Sequence, residues 1–406
     1  MHERNGRRLG VWLVGARGAI STCLAYGLSG LRQGRLEPIG IATAGPAFAG
    51  LPLADFDELY LGGHDVVRAS STASDLVRHG ILPPDLVAAG AGDAALFEAR
   101  IRPGVLDGPD VGLAELDPES SRLGAASQRE QIARIAADLA EFRRAHLLDR
   151  VIVVCLASTE SWREGLPSWA RLDDLDQALD ADQADLPASS LYAYAAFTSG
   201  APFVNFTPNK GSEPAGLRQL ARRAGLPHCG SDGKTGETLL KTALAPMFHK
   251  RALRVLAWQG YNMLGNKDGE ALADPVRREA KRRNKDEALR AILRDPRLHT
   301  QVGIDFVPSL HDWKTAWDFV HFEGFLGARM SLQLTWQGSD SALAAPLVLD
   351  LVRLADLAAA RGEAGEMEHT ACYFKSPLSG STPVEHDFHV QFERLLAYAA
   401  GARNET

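Results

Sequence analysis

The stretch Gly10-Val-Trp-Leu-Val-Gly15-Ala-Arg-Gly18 joins a short apolar run to a glycine turn. Apolar residues then recur at helical spacing over Ala19–Leu31, so we predict a strand, a tight turn and a helix. Such a turn lets the backbone approach a pyrophosphate, and the helix behind it offers N–H groups. Arg17 and Ser21 interrupt the usual G-x-G-x-x-G pattern, so a purely structural turn is the alternative to dinucleotide binding.

Strands and helices alternate over the rest of the amino-terminal half. The apolar run Ile39–Ala42 predicts a second strand, which ends without the acidic residue that usually binds a ribose. Later apolar runs predict buried strands at Val151–Leu156 and Pro202–Phe206. Helical spacing is found within 66–100, at 127–147 and at Ser189–Thr198. This alternation predicts a Rossmann-like, doubly wound parallel sheet of the α/β class.

The pattern changes beyond residue 238. Further elements are predicted as a helix at Leu239–Phe248, a strand at Leu253–Gln259, a basic helix near 275–294 and a long helix at 341–360. Residues 317–336 alternate polar and apolar in two runs, which is typical of an antiparallel sheet with one exposed face. We therefore predict an inserted α+β domain. The predicted domains are 1–238, 239–342 and 343–406, and the last returns to the first.

Composition restricts the class of protein. The 406 residues include 44 Lys and Arg against 51 Asp and Glu, and this net charge of −7 argues against nucleic acid as the main partner. Hydrophobic residues make up 45%, and no apolar run is long enough to predict a membrane-spanning helix. The four cysteines form no C-x-x-C pair, so we expect reduced cysteines, a cytoplasmic protein and no zinc knuckle. No residue is assigned as a metal ligand, and the need for a divalent metal stays open.

The segment Gly230-Ser-Asp-Gly-Lys-Thr235 looks like the end of a Walker A loop. The first glycine of that motif would fall on His228, so NTP hydrolysis is not expected. Thr235 and Gly236 still stand before a predicted helix, where backbone N–H groups favour an anion such as a sugar phosphate.

Two further stretches carry polar candidates. Tyr261-Asn-Met-Leu-Gly-Asn-Lys-Asp-Gly269 follows a predicted strand, where open α/β sheets bind ligands, although an Asn- and Gly-rich turn is the alternative. Lys281 and Lys285 share a helix face that continues through Ala288 and Ile292. Because burial makes a lysine easier to deprotonate, this face is a candidate for acid–base chemistry, and a solvated basic helix is the alternative.

The order of these motifs resembles that of the inositol-3-phosphate synthase family from about residue 9 to residue 395. The family's G-[SD]-D-x-K-[ST]-G-[QE]-T corresponds to Gly230–Thr238, and its Y-N-H-L-G-N-N-D-G to Tyr261–Gly269. Its four active-site lysines fall on Lys281, Lys285, Lys314 and Lys375. Shorter matches are Leu61–Asp65 for G-G-W-D, Leu156–Glu160 for T-A-N-T-E, Phe203–Asn209 for I-N-G-S-P-Q-N and Ser339–Pro346 for E-D-S-x-x-A-x-P.

The resemblance implies a site for NAD and a hexose phosphate, in a homotetramer. It also implies that the inserted α+β domain serves catalysis and oligomerisation. It assigns catalysis to Lys281, Lys375, Lys314 and Lys285. It assigns cofactor binding to Gly15, Ala16, Arg17, Gly18, Ala19, Asp65, Ala157, Asp232, Lys267, Asp268 and Asp340. It assigns substrate binding to Ser231, Thr235, Gly236, Glu237, Asn262, Leu264, Gly265, Asn266, Lys285 and Asp312.

The resemblance also implies the reaction, an NAD-dependent isomerisation that closes a hexose 6-phosphate into a ring. Oxidation, enolisation, intramolecular aldol closure and reduction would convert D-glucose 6-phosphate to 1D-myo-inositol 3-phosphate without net redox change. We expect Lys375 to act as the base at the oxidised hydroxyl. Lys281, assisted by Lys314, would stabilise the oxyanions, and Lys285 would bind the phosphate.

Departures from the family pattern keep other functions open. Met263 replaces His, Lys267 replaces Asn, and Gly327–Ser331 replaces G-G-H-N-R. The alternative is therefore a diverged cyclitol-phosphate synthase, for instance one that forms a five-membered ring from fructose 6-phosphate. A catalytically inactive NAD-binding protein and a nucleic-acid role for Arg277–Lys285 are weaker interpretations.

Overall fold

Seven parallel strands form the larger of two sheets in the computed structural model, which describes residues 7–106, 116–161, 163–265, 288–380 and 383–404. The strands are β1 (Leu9–Val14), β2 (Leu59–Asp65), β3 (Ile101–Pro103), β4 (Arg150–Cys155), β5 (Phe203–Asn205), β6 (Pro227–Cys229) and β11 (Gly365–Glu366). Their order is β11-β6-β5-β4-β1-β2-β3, and each neighbouring pair is parallel. This is the strand order of a dinucleotide-binding fold, so the predicted doubly wound sheet is confirmed.

Helices cover both faces of this sheet, and α9 packs on the smaller sheet instead. The helices of the described residues are α1 (Ala19–Arg32), α2 (Thr72–Arg78), α3 (Pro84–Glu98), α4 (Pro118–Gly124), α5 (Gln128–Ala145), α6 (Leu172–Asp180), α7 (Ala188–Thr198), α8 (Ala215–Arg223), α9 (Glu237–Lys250), α10 (Asp340–Ala360) and α11 (Phe388–Asn404). The central strands β1 and β4 are almost wholly buried, since both of their faces are covered. Their continuous apolar sequences follow from that burial.

The predicted second strand at Ile39–Ala42 is wrong. Ala42–Ala44 form a short 3-10 helix, and the backbone N–H groups of Ala42 and Thr43 donate to the Asp350 carboxylate at 2.9 and 2.8 Å. The second strand is β2, whose Gly62 and Gly63 break the apolar run that would have signalled it. The expectation that no acid ends this strand is wrong for the same reason, because β2 ends at Asp65.

The smaller sheet has four strands, β7 (Arg254–Leu264), β8 (His299–Phe306), β9 (Trp313–Glu323) and β10 (Arg329–Ser339). Their order is β10-β9-β7-β8, with antiparallel β10–β9 and β9–β7 pairs and a parallel β7–β8 pair. The predicted antiparallel, half-exposed sheet is therefore confirmed. The predicted strand Leu253–Gln259 is too short, because Tyr261–Leu264 belong to β7 and not to a turn after it.

The chain returns to the larger sheet after the smaller one. α10 packs against α1, and the buried Leu351 and Val352 belong to the same core cluster as Leu13 and Val154 of the central strands. β11 then pairs with β6 at the sheet edge. These contacts explain why α10 is nearly free of exposed residues. The predicted domain boundaries themselves stay a prediction.

The described part of the predicted basic helix is helical at 288–293. Ala288 and Ile292 are both buried there, and Ile292 packs beside the smaller sheet. The expectation that this helix face is partly buried therefore holds for its described end.

Candidate active site

The glycine turn after β1 meets the end of β4 at the centre of the sheet. Gly15 has φ of +89°, and a Cβ placed on it would lie 2.9 Å from the Leu156 carbonyl oxygen and 3.1 Å from Ala157 Cα. Only glycine combines this backbone conformation with such a close approach. The structure therefore brings the predicted residues Gly15 and Ala157 together at the point where strand order reverses, which is where dinucleotides bind.

The N–H groups of the turn are used within the protein. Gly15 and Ala16 donate to the His64 carbonyl at 2.9 and 3.1 Å, and Arg17 donates to Asp65 Oδ2 at 2.7 Å. Asp65 thus holds the turn against the end of β2. The Arg17 guanidinium pairs with Glu98 at the end of α3.

The donors that remain for a pyrophosphate belong to the start of α1. Gly18 precedes the helix, and the first intrahelical bond is donated by Thr22 to the Gly18 carbonyl at 3.0 Å. The N–H groups of Ala19, Ile20 and Ser21 come before that bond, so they have no helical partner. A glycine cradle with helical N–H donors behind it fits a dinucleotide.

A second loop, Gly230–Gly236, follows β6 and pairs with the segment 373–378. Ser231 and Ser376 exchange backbone hydrogen bonds at 2.8 and 3.1 Å, and the Lys234 N–H donates to the Tyr373 carbonyl at 2.9 Å. Gly233 must be glycine, because a Cβ there would lie 2.2 Å from the ring of Phe206. The loop is therefore fixed between the end of β5 and a carboxyl-terminal segment.

This pairing places Lys375 against Asp232. The Lys375 ammonium donates to Asp232 Oδ1 at 2.7 Å, and the two side chains are 18% and 12% exposed. Two predicted residues from stretches 143 positions apart thus form one largely buried ion pair.

The other predicted lysine of the described chain approaches the same loop. Lys314 Nζ lies 3.7 Å from Asp340 Oδ2, and the Thr235 hydroxyl donates to Asp340 Oδ1 at 3.1 Å. Lys314 Nζ is also 3.7 Å from the position that a Cβ would take on Gly236. Four predicted residues therefore meet where α9 and α10 begin.

Asp312 lies one layer deeper. Its carboxylate accepts hydrogen bonds from the hydroxyls of Ser339 and Ser341, the latter at 2.7 Å. Burial, with the nearby Asp340 charge as a smaller cause, raises the pKa of Asp312. Both carboxylate oxygens are engaged at the start of α10, so the geometry favours a role in placing Asp340 over the predicted contact with substrate.

Glu237 and Asn262 are also deeply buried. Asn262 Nδ2 donates to Glu237 Oε2 at 2.7 Å, which joins β7 to the first residue of α9. At the end of β7 the Leu264 carbonyl accepts from the Val307 N–H at 2.8 Å. A Cβ on Gly265 would lie 2.2 Å from the His311 backbone nitrogen, so Gly265 permits a close crossing.

Five predicted site residues lie outside the described residues, namely Asn266, Lys267, Asp268, Lys281 and Lys285. Their roles stay predictions.

Sequence analysis missed the buried Lys234 of the same loop. Its ammonium donates to Gln391 Oε1 at 2.6 Å and lies 5.7 Å from the centre of the Phe388 ring, both on α11. Burial lowers the pKa of Lys234 to about 8. The only signal was its place in the resemblance motif, since the partners are more than 150 positions away.

Within the described ranges, no three His, Cys, Asp or Glu side chains are grouped as metal ligands. A search of the same residues finds no helix with the length and apolar character needed to span a membrane.

Comparison with solved structures places the fold. An inositol-3-phosphate synthase from Caenorhabditis elegans superposes with a TM-score of 0.84 at 23% identity, covering 98% of this chain and 86% of that one. A myo-inositol-1-phosphate synthase-related protein from Thermotoga maritima gives 0.75 at 23% identity, covering 97% and 99%. Both superpositions show that these proteins share the fold of this chain.

Sequence comparisons identify the family. Inositol-3-phosphate synthase 1 of Bacteroides thetaiotaomicron is 30% identical over 96% of this chain and 92% of its own length. Isozyme 1 of Arabidopsis thaliana is 29% identical over 87% and 67%. A sequence model of the NAD-binding domain of myo-inositol-1-phosphate synthase matches residues 9–399, so NAD is the cofactor. The resemblance stated from the motifs is confirmed, and the chain belongs to the myo-inositol-1-phosphate synthase family.

Proposed function

We propose that this protein is an enzyme that cyclises D-glucose 6-phosphate to 1D-myo-inositol 3-phosphate, with NAD used and regenerated in each cycle. One observation carries the proposal. Lys375 pairs with Asp232 of the Gly230–Gly236 loop, and Lys314 lies 3.7 Å from Asp340, which accepts a hydrogen bond from Thr235 of the same loop. Family membership supports the reaction class, and the convergence of amines at one loop supports chemistry on a sugar phosphate.

The turn at Gly15 and the first N–H groups of α1 would hold NAD, which would supply a hydride acceptor for the sugar alcohol and a hydride donor for the final reduction. Lys375 reacts as the neutral amine: it receives the proton of the hydroxyl that is oxidised and becomes an ammonium, which Asp232 at 2.7 Å then holds. The resulting ketone makes the neighbouring carbon acidic, so an enolate can attack the aldehyde carbon and close the ring.

Lys314 stabilises negative charge on oxygen during enolisation and ring closure, because it is a cation held in a largely buried position by Asp340. The N–H groups at the start of α9 receive the phosphate. Lys281 and Lys285 complete this proposed set, although they lie outside the described residues. Holding the open-chain sugar bent removes much of the entropic barrier to ring closure.

The alternative is a cyclitol-phosphate synthase that closes a five-membered ring from fructose 6-phosphate. Met263 supports this alternative, because it places an apolar side chain where the family has His, in β7 and one residue beyond the buried Asn262.

The test is incubation of the purified protein with NAD⁺ and either glucose 6-phosphate or fructose 6-phosphate, with the product identified by NMR. We expect a six-membered cyclitol phosphate from glucose 6-phosphate and no net accumulation of NADH. A five-membered product from fructose 6-phosphate would replace the first proposal by the second. No product from either sugar, with NAD⁺ still bound, would contradict both.

A further inference from the structure

Five buried polar or aromatic side chains form a cluster that begins at the residue after Gly236. We call it the Lys241 cluster, and its members are Glu237, Lys241, Trp258, Asn262 and Asp318. None of them is more than 2% exposed. The cluster joins the first turn of α9 to strands β7 and β9, and sequence analysis assigned no role to Lys241, Trp258 or Asp318.

Lys241 and Glu237 make the closest contact of the cluster. Lys241 Nζ lies 2.6 Å from Glu237 Oε1, while the other Glu237 oxygen accepts from Asn262. Lys241 Nζ is also 3.7 Å from Asp318 Oδ1, which accepts from Trp258 Nε1 at 2.7 Å. The amine thus lies between two buried carboxylates, and it is closer to Glu237.

Gly260 provides the space for this ion pair. A Cβ on Gly260 would lie 2.2 Å from Glu237 Oε1 and 2.7 Å from Lys241 Nζ. Any larger residue at this position of β7 would displace the carboxylate or the amine. The close approach of Lys241 to Glu237 therefore depends on glycine at 260.

The position of Glu237 raises an electrostatic problem for the proposed phosphate site. Glu237 is the first residue of α9 and directly follows Gly236, the turn expected to receive the phosphate. A carboxylate there would repel a phosphate dianion, and repulsion between charges is stronger where water is excluded. A cation in contact with the carboxylate removes that repulsion.

We propose that Lys241 is a positioning residue that neutralises Glu237 and so permits a phosphate ester to bind at Thr235 and Gly236. Lys241 acts through Glu237 and does not itself contact the ligand. The inference rests on the proposed function for the phosphate turn, and it adds a residue that governs affinity for the anionic end of the substrate.

The test compares affinities of the full-length protein for three ligands by isothermal titration: inorganic phosphate, glucose 6-phosphate and NAD⁺. Lys241→Met should weaken binding of both phosphate ligands roughly 10- to 100-fold, while NAD⁺ affinity stays within about twofold. Lys250→Met is the matched control, since Lys250 is an exposed lysine at the other end of α9. Its affinities should equal those of the wild type.

The double variant Glu237→Gln/Lys241→Met separates electrostatics from packing. It removes the carboxylate that Lys241 neutralises, so phosphate affinity should recover to within a few-fold of the wild type. A merely structural lysine would give no recovery. The inference is overturned if Lys241→Met binds phosphate like the wild type, if the double variant is no better than the single one, or if NAD⁺ affinity falls in parallel.

Gly260→Ala keeps the test decisive if Lys241→Met does not fold. It changes no charge but places a methyl group against Glu237, so the same selective loss of phosphate affinity is expected. Unchanged affinity in folded Gly260→Ala would overturn the inference, as would a wild type that binds neither phosphate ligand. A wild type that binds glucose 6-phosphate without cyclising it would instead contradict only the proposed reaction.

Discussion

Gly15 shows how one residue fixes the geometry of the nucleotide turn. Its positive φ and its close approach to Leu156 each favour glycine at this position. Gly34 shares only the first of these features, so comparing the two residues separates their effects. Gly34 also has a positive φ, of +64°, but a Cβ there would meet nothing within 4 Å. Conformational strain and close contact are therefore separable in this chain.

We expect Gly34→Ala to lower the free energy of unfolding by about 1 kcal/mol, through strain alone. Gly15→Ala should lower it by about 2–4 kcal/mol, because the methyl group also meets the β4 backbone. Gly15→Ala should weaken NAD⁺ binding as well. Urea unfolding and a fluorescence titration with NAD⁺ measure the two effects, and equal values for the two variants would contradict the contact argument.

Lys375 is the residue on which the proposed chemistry depends most directly. Lys375→Met should lower kcat/KM by roughly 10²- to 10⁴-fold, the range expected for loss of a general base. NAD⁺ affinity should stay unchanged, because the glycine turn lies on other strands. The cyclisation assay measures the first quantity and titration the second. Lys250→Met provides the control, and full activity in Lys375→Met would refute the assigned role.

At the scale of elements, two buried histidines make the stability of the fold depend on pH. One lies in a strand near the edge of the larger sheet, and the other packs against the last helix. Burial lowers the pKa of His228 in β6 to about 4. Burial likewise lowers the pKa of His369 to about 4, where its ring stacks on Tyr398 of α11 with centroids 3.6 Å apart. Both rings are therefore neutral in the folded protein near pH 7.

The consequence is a loss of stability in acid. Each folded-state pKa lies below the ordinary value of 6.5, so the unfolded chain binds more protons, and stability falls as pH drops from about 6.5 to about 4. Each histidine should lower the free energy of unfolding by about 2 kcal/mol between pH 7 and pH 5.

His369→Phe tests this prediction because it keeps the stacking on Tyr398 and removes the titration. The variant should lose about 2 kcal/mol less than the wild type over that pH range, measured by urea unfolding at both pH values. The exposed His299, changed to Phe, is the control. If the free energy of unfolding of His369→Phe depends on pH as in the wild type, the prediction is contradicted, because the His369 ring then makes no contribution to the loss of stability in acid.

At the scale of the whole molecule, the smaller sheet presents one face to solvent. Trp317 is 38% and Tyr261 41% exposed, and Trp317 lies opposite both Tyr261 and Thr335 in the strand register. We propose that copies of this chain meet on this face in a homotetramer, since exposed aromatic groups on one surface favour association.

Trp317→Arg should convert this assembly to smaller species, because it places a charge at the centre of the face. Sedimentation velocity measures the change. Leu147→Arg, on an exposed residue that follows α5, should leave the assembly intact. A wild-type monomer, or a Trp317→Arg protein of unchanged mass, would contradict the proposal.

The sequence by itself determined the central elements and the family. Continuous apolar runs specified β1 and β4, because strands covered on both faces have no polar positions. Alternation of polar and apolar residues specified β9 and β10, because one face of these strands is exposed to solvent. The motifs at 230–238 and 261–269 specified the family, because their residue types follow the family's pattern in the same order.

Only the tertiary structure decided the partners of these residues. β2 went unrecognised, because its burial depends on strands on either side and its two glycines hide the apolar pattern. The pairs Lys375–Asp232 and Lys314–Asp340 join residues far apart in the chain, and no local pattern reports such distances. The buried Lys241 could not be foreseen, because a lysine is stable there only with carboxylates supplied by α9 and β9.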